Sequence, residues 1–507
     1  MAGAIEPVDK LHHILAKQAA IQPEAVALWW QREAITYAAL YARVMAVAAR
    51  LAGSGAPGER VAVLAWNCPQ FIELIYAVPA SGKILVPLNA RLAPLELQYQ
   101  LLHAGVTTLF AEPQLLEPLL PGQEFDRQLR IIDMQDGYEP WLGSGDKAPL
   151  PCTDAGDTAW ILYTSGSTGR PKGAELSHSS FMAGLASAAL GRPVKSDDRY
   201  LYPFPLFHVA AHNVLLQHQY GAAVVLVRSF DPAASLLACR ELQVTSMSLA
   251  PTMIAMLLDH PDFRPQDLRS VRTIGYGAAA MPQTLLLRLL RETDVGLCQG
   301  YGMTELSGSV AFLTVADHRL AADNRPELLQ SVGKPLPSVE ITLVDAGGQP
   351  CATGESGEIL VKGAQCMRGY WNQPAASAQA IVDGWLHTGD IGRFDSDGYL
   401  YIVDRKKDMI ISGGENVASR EVEEVMRRHP AVSDCAVIGL ADSRWGELIC
   451  GVVQLARDAS DEDLSDYCRE FLAAYKTPKK WIRTGALPVN AAGKVDKPAL
   501  RLMYAGA

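Results

Sequence analysis

ILYTSGSTGRPKGAELSHSS occupies residues 161–180. The strand-like apolar run Trp160-Ile161-Leu162-Tyr163 stops abruptly at a polar stretch that ends on Arg170-Pro171-Lys172-Gly173. Gly166 and Gly169 can reach backbone angles closed to other residues, which would let main-chain N–H groups converge there on an anion. Thr164, Ser165, Ser167 and Thr168 add hydroxyl donors, and Lys172 adds positive charge. A solvated Gly/Ser surface loop is the plain alternative. The Walker spacing G-x-x-x-x-G-K-[ST] is not met, because Lys172 follows Pro171 and precedes Gly173. An ordinary P-loop triphosphatase is therefore excluded.

Outward from this loop the chain alternates strand-like and helix-like segments. Arg60–Ala65 reads as a strand, followed by a helix that Asn67 can cap, with Pro69 early in it and Gly82 near its end. Ile84–Val86 is the next strand, Leu95–His103 a helix closed by Gly105, and Thr108–Ala111 a strand again. The pattern returns at 220–227, in a helix from Ala233 to Leu242, and at 245–250. Such alternation predicts an α/β sheet with helices on its faces. After Asp404 the reading changes. A charged cluster, Asp404-Arg405-Lys406-Lys407-Asp408, separates two apolar strands. Ser419 can cap a helix with acids early and Arg427 and Arg428 late, and strands at 435–440 and 448–456 precede a helix over 464–475. The expected division is 1–404 and 405–507: a large multi-lobed α/β domain, then a small mobile α+β domain behind a charged hinge.

The chain has 507 residues, too many for one ordinary core, and its net charge of −10 disfavours a nucleic-acid surface as the main role. Nine cysteines with no C-x-x-C pair fit neither a disulfide framework nor a zinc cluster, and point to a reducing, cytoplasmic setting. No secretory leader and no membrane-spanning run is read; peripheral membrane contact stays open, as does the choice between monomer and homodimer.

YTSGSTGRPKG (163–173) resembles the signature phosphate loop of the adenylate-forming superfamily, which includes acyl-CoA synthetases, peptide-synthetase adenylation domains and firefly-type luciferases. The resemblance continues in order through FPLFH (204–208), GYGAAAMP (275–282), QGYGMTE (299–305), GEILVKG (357–363), GWLHTGDIG (384–392), DGYLYIVDRKKDMIISGGENV (397–417) and NAAGKVDK (490–497). It implies an acyl-CoA synthetase-like fold. It also implies a reaction in which a small carboxylic acid is activated by ATP with Mg²⁺ and handed to CoA.

The resemblance assigns roles residue by residue. Thr164, Ser165, Gly166, Ser167, Thr168, Gly169 and Lys172 would grip the ATP phosphates. Gly277, Ala278 and Ala279 would lie against the adenine, with Tyr301 and Gly302 beside them. Thr304 would bond the α-phosphate and Glu305 would reach the metal, a hard cation that favours carboxylate and phosphate oxygens. Asp390 would accept from the ribose hydroxyls, Arg405 would contact nucleotide oxygens, and Lys494 would bridge the acid and the α-phosphate. Lys407 matches the hinge position. Ser412, Gly413 and Gly414 would belong to the face used for the thiol step.

For the acid, His208 stands where amino-acid-activating relatives place an aspartate, and no acidic residue occurs over 204–213. An α-amino acid is disfavoured, and His208 fits the F-H pattern of acyl- and aryl-CoA synthetases. The acyl pocket implied by the resemblance comprises His208, Val209, Ala210, Ser248, Gly275, Gly277, Met303, Ser307 and Gly308. These residues are mostly small or apolar, which argues for an uncharged hydrophobic acyl group. DRKKDMIISGGENV (404–417) and AYKTPKK (474–480) most resemble bacterial fatty-acyl-CoA ligases, and that resemblance implies a medium or long fatty acid; aryl acids stay open, and His212 and Asn213 could mark a functionalised acid or face away. Only thirteen residues follow Lys494, so CoA is expected over a carrier protein as acceptor. A catalytically idle acyl or nucleotide sensor is the contrasting class.

Overall fold

The computed structural model describes residues 8–119, 129–144, 147–154, 156–164, 171–277, 281–412, 415–442, 445–490 and 493–505. By internal packing the chain divides into two units, Met1–Glu340 with Val361–Leu386, and Ile341–Leu360 with His387–Ala507. Asp404–Asp408 lies inside the second unit.

Two sheets build the first unit. One runs, edge to edge, Lys334–Pro335, Gly308–Leu313, Gly296–Met303, Thr273–Gly277, Ser246–Leu249, Arg199–Tyr202, Ala223–Leu226, Val26–Trp30 and Glu33–Thr36. The six strands from Gly296–Met303 to Val26–Trp30 are parallel, and near-continuous apolar runs let them be buried on both faces. The other sheet runs Gly369–Tyr370, Lys172–Ser177, Thr158–Thr164, Ile84–Pro87, Arg60–Leu64, Val106–Ala111 and Arg130–Asp133. Its apolar side chains, among them Leu64, Val86, Leu109 and Ile161, form one core cluster with Leu97 and Leu101 of the helix Pro94–Ala104.

The alternation of strands and helices was readable; some caps were not. Gly105 closes the helix Pro94–Ala104 at φ +62°, as its position suggested. Asn67 does not cap the helix Pro69–Ala80: the N-cap is Cys68, with no side-chain cap bond. Asn67 instead donates to the carbonyls of Phe204 (2.8 Å) and Val227 (2.9 Å) and accepts from the Leu206 amide (2.8 Å), clamping the FPLFH loop.

The second unit is α+β. Glu415–Val417, Ile410–Ser412, Gly446–Leu455 and Val432–Asp442 form a sheet, and Lys480–Arg483 pairs with Gly446–Leu455. The helix Ser419–Met426 packs on it through Val422, Val425 and Met426. Ser419 is the first helical residue and not the cap. Asp404 supplies the cap from outside: its carboxylate accepts from the Ser419 amide (2.5 Å) and hydroxyl (2.7 Å), satisfying an orphan donor at the helix start. Among the described residues no helix is long and apolar enough to cross a membrane.

Candidate active site

In an open α/β sheet, ligands bind beyond the carboxyl ends of the strands. Three of the sequence motifs emerge from that end of the first sheet. FPLFH follows Arg199–Tyr202, residues 278–282 follow Thr273–Gly277, and Thr304-Glu305 follows Gly296–Met303. Backbone packing explains the glycines here. A Cβ on Gly302 would meet the Gly308 carbonyl oxygen at 1.9 Å, and one on Gly277 would meet that of Gly300 at 2.8 Å.

Glu305 is buried at the centre of this corner. Its Oε1 accepts from Thr164 Oγ1 (3.2 Å) and from the Tyr370 hydroxyl (3.1 Å). Among the described residues nothing in the protein bonds its Oε2, which leaves carboxylate lone pairs for another partner. Burial, and then the Glu305 charge, push the Tyr370 pKa well above the usual phenol range, so the hydroxyl stays a donor. Lys172 stands with Nζ 4.9 Å from the Tyr370 ring centroid, a cation–π arrangement. Buried Gln365 donates to the carbonyls of Leu306 (2.8 Å) and Ser309 (3.0 Å), and the Met367 amide donates to that of Glu305 (2.8 Å), bracing the turn from below. Tyr370 and Gln365 escape a sequence reading; a buried glutamine inside KGAQCMRGY was the one available sign.

Among the described residues no group of three or more His, Cys, Asp or Glu side chains could hold a metal. One free carboxylate edge is what Mg²⁺ requires when substrate phosphates and water complete its shell. Glu305 fits that description.

A second corner lies over the same strands. Ser248 and Gly275 are register partners, and Gly275 pairs in turn with Cys298. Arg192, just past the helix His178–Gly191, lays its buried guanidinium on this floor. It donates to Ser248 Oγ and to Asn213 Oδ1, with its carbon 5.3 Å from the Tyr200 ring centroid. A Cβ on Gly275 would meet Arg192 at 2.7 Å, which accounts for the glycine. Asn213 therefore faces inward, held also by its bond to the Ala210 carbonyl (2.9 Å). The residues the resemblance names here are uncharged; Arg192, which it does not name, stands against two of them, Ser248 and Gly275. His212 donates through Nδ1 to the Val209 carbonyl (2.9 Å), and a Cβ on Gly308 would lie 3.4 Å from its Nε2. Burial lowers the His212 pKa to about 4; the Val209 bond opposes this and the Arg192 charge adds to it. Ser307 sits at φ +52°, fully buried, its hydroxyl without a hydrogen-bond partner among the described residues. Val209 and Ala210 form one 3₁₀ turn after His208, whose ring meets Phe207 edge-on at 4.8 Å. Met303 ends the strand Gly296–Met303 beside the Gly302–Gly308 contact.

The second unit gathers its own predicted residues. Asp390 and Arg405 are cross-strand partners, with Oδ1 to Nε at 3.1 Å; Asp390 is buried and Arg405 half-exposed. Gly389 makes the approach at φ +70°. Lys494 sits at a tight turn: Gly493, at φ +75°, donates to the Asn490 carbonyl (2.8 Å), and Asn490 Oδ1 accepts from the Lys494 amide (3.2 Å). Desolvation, then the like charges of Arg405 and Lys407, lower the Lys494 pKa, with Asp390 opposing. Lys494 is an exposed residue, so its desolvation is partial. Lys407 is exposed, and Ser412 is buried with its hydroxyl unpartnered among the described residues. Lys497 is structural: it ion-pairs with Glu423 (2.7 Å) and donates to Ser419 (2.6 Å). Ser165, Gly166, Ser167, Thr168, Gly169, Ala278, Ala279, Gly413 and Gly414 lie outside the described residues.

Comparison with known proteins agrees with this layout. Residues 15–371 match the model of the AMP-binding enzyme family and residues 421–494 that of the AMP-binding enzyme C-terminal domain. A feruloyl-CoA synthase from Amycolatopsis sp is 38% identical over 497 residues, covering 96% of this chain and 98% of the relative. The o-succinylbenzoate CoA synthetase of Bacillus subtilis with its acyl-adenylate intermediate superimposes with TM-score 0.86 at 32% identity, covering 96% and 97% of the two chains. The same enzyme has been solved with ATP and magnesium ion. A fatty acyl CoA synthetase from Mycobacterium tuberculosis gives TM-score 0.79 at 31% identity, covering 98% of each chain. This chain belongs to the AMP-binding enzyme family and is an acid–CoA ligase with the acyl-CoA synthetase fold.

Proposed function

We propose that this ligase activates an aryl carboxylic acid with ATP and transfers it to CoA. The observation that carries the reading is end-to-end similarity to a feruloyl-CoA synthase, at 38% identity. The o-succinylbenzoate ligase likeness supports it, and the fatty-acid expectation drawn from the resemblance to bacterial fatty-acyl-CoA ligases gives way to it. The polar lining made by Arg192, Asn213 and His212 suits a substituted ring better than an unbranched alkyl chain.

In the first step an oxygen of the acid attacks the α-phosphorus, the bond to the bridging oxygen breaks, and pyrophosphate leaves. In the second, the CoA sulfur attacks the acyl carbon, AMP leaves, and the thiol proton passes to solvent. Glu305, oriented by Thr164 and Tyr370, would hold Mg²⁺ through its free edge; the ion supplies charge neutralisation on the phosphates. Thr304 would donate to the α-phosphate, and the 164–172 loop would hold the leaving pyrophosphate. Tyr301, Gly302 and the 277–279 segment would receive the adenine, and Asp390 with Arg405 the ribose. Lys494, already a poised cation beside Asp390, would bind the developing charge between acid and phosphate. His208 would sit at the carboxylate. The same reading puts the functional boundary at 404/405, with Lys407 as hinge and 412–414 on the thioester face.

The test is a panel of aryl and straight-chain acids with ATP and Mg²⁺, with and without CoA, following pyrophosphate and thioester. Aryl acids are expected to give the higher kcat/KM and a CoA thioester. Faster turnover of straight-chain acids would overturn the aryl reading. Pyrophosphate without thioester would point to a carrier-protein acceptor, and no pyrophosphate from any acid to a sensor.

A further inference from the structure

Arg192 is 9% exposed and forms no ion pair with a carboxylate among the described residues. Elsewhere in the same unit, partly exposed arginines are matched with acids: Arg43 with Glu73, Arg240 with Asp267, Arg272 with Asp198. A buried cation without a counter-charge is costly, and cores rarely retain one unless something else meets it. Neutral oxygens from Ser248 and Asn213 spend two N–H groups of a planar five-donor fork. They also fix its orientation, and the missing side chain of Gly275 gives it room. The fork lies where the turn after His208 leads into the helix His212–Gln219 and where the strands Ser246–Leu249 and Thr273–Gly277 near their carboxyl ends.

We propose that Arg192 is a substrate-binding, specificity-determining residue: its free N–H groups take an oxygen acceptor on the acyl group, remote from the carboxylate that is activated. The inference deepens the aryl-acid reading and rests on it for the location of the acyl group. The preferred acid then carries an oxygen substituent, a second carboxylate or a phenol. A hydrogen bond to a charged group typically contributes roughly 10–100-fold in affinity, and a site left with an unmet donor discriminates against the analogue that lacks the acceptor.

The experiment uses matched pairs: cinnamate with 4-hydroxycinnamate, cinnamate with 4-carboxycinnamate, and octanoate with octanedioate. The ratio of kcat/KM, substituted over plain, is read by pyrophosphate release in wild type, Arg192→Met and Arg192→Lys. Wild type is expected to favour an oxygen-bearing aryl member. Arg192→Met should lower that ratio roughly 10–100-fold, with Arg192→Lys between. The hydroxy and carboxy arms tell a phenol from an anion. An unchanged ratio in Arg192→Met, whether the variant is fully active or uniformly impaired, overturns the proposal. So does a wild-type preference for the plain members, which needs no variant to fold. If octanoate outruns cinnamate while the octanedioate ratio still falls in Arg192→Met, the aryl reading fails and the role of Arg192 stands.

Discussion

The corners around Glu305 and Arg192 share one sheet and differ in electrostatic completeness. Glu305 is an anion met by two neutral donors on one oxygen, braced by Gln365 and Met367, with one edge left for a cation. Arg192 is a cation met by two neutral acceptors, braced by Asn213 and Ser248, with N–H groups left for an acceptor. On the proposed reading the first corner would serve a co-substrate common to the whole family; Thr164 and Glu305 come from two motifs legible in the chain, and Tyr370 and Gln365 are added across the fold. The second is proposed to serve the variable acid and is assembled from Arg192, Asn213, Ser248 and Gly275, with Arg192 outside every motif that carries the family resemblance. Damage to the first should therefore be blind to the identity of the acid, and damage to the second should depend on it.

The largest effects should come from the groups proposed to neutralise the phosphates, Glu305 through the metal it would hold and Lys494 directly. Glu305→Ala should lower pyrophosphate release roughly 10²–10³-fold for every acid alike, as for loss of one preorganised electrostatic contact. Lys494→Ala should cost a similar factor in adenylation, yet retain conversion of supplied acyl-adenylate and CoA to thioester. Lys407→Pro should show the converse; equal loss of both half-reactions in both variants would break the division of labour proposed for the second unit.

A smaller effect concerns pH. His212 is neutral in the folded protein, with a pKa near 4 against an ordinary 6.5, so the unfolded chain binds the extra proton first. Its contribution is intact above pH 6.5 and is lost as pH falls towards 4, at about 1.4 kcal/mol per unit. Denaturant unfolding at two pH values in that window should show a loss that His212→Gln reduces by about that amount per unit. The smallest effect is Tyr370→Phe, which removes one donor from buried Glu305. About 1 kcal/mol is at stake, seen as a several-fold higher Mg²⁺ requirement with the order of acids unchanged.

Much of this was legible in the chain, for reasons that also mark where legibility ends. Strands such as Arg60–Leu64 and Ile84–Pro87 announce themselves because burial on both faces demands unbroken apolar runs. Glycines 277 and 302 are forced by backbone contacts inside contiguous motifs. Partners chosen across the fold leave no local periodicity. Asn67 looks like a helix cap and clamps residues 204–206; Ser419 looks like a cap and is itself capped by Asp404. Arg192 reads as an ordinary basic residue at a helix end, where the dipole welcomes it. Its true partners lie 21 and 56 residues away.

The most direct test of the contrast is acid-dependent ATP–pyrophosphate exchange, profiled over the matched acid panel for wild type, Glu305→Ala and Arg192→Met. The account predicts that Glu305→Ala lowers every acid in the wild-type order and that Arg192→Met reorders them by collapsing the advantage of oxygen-bearing acids. A profile reshuffled by Glu305→Ala, or preserved by Arg192→Met, would contradict it.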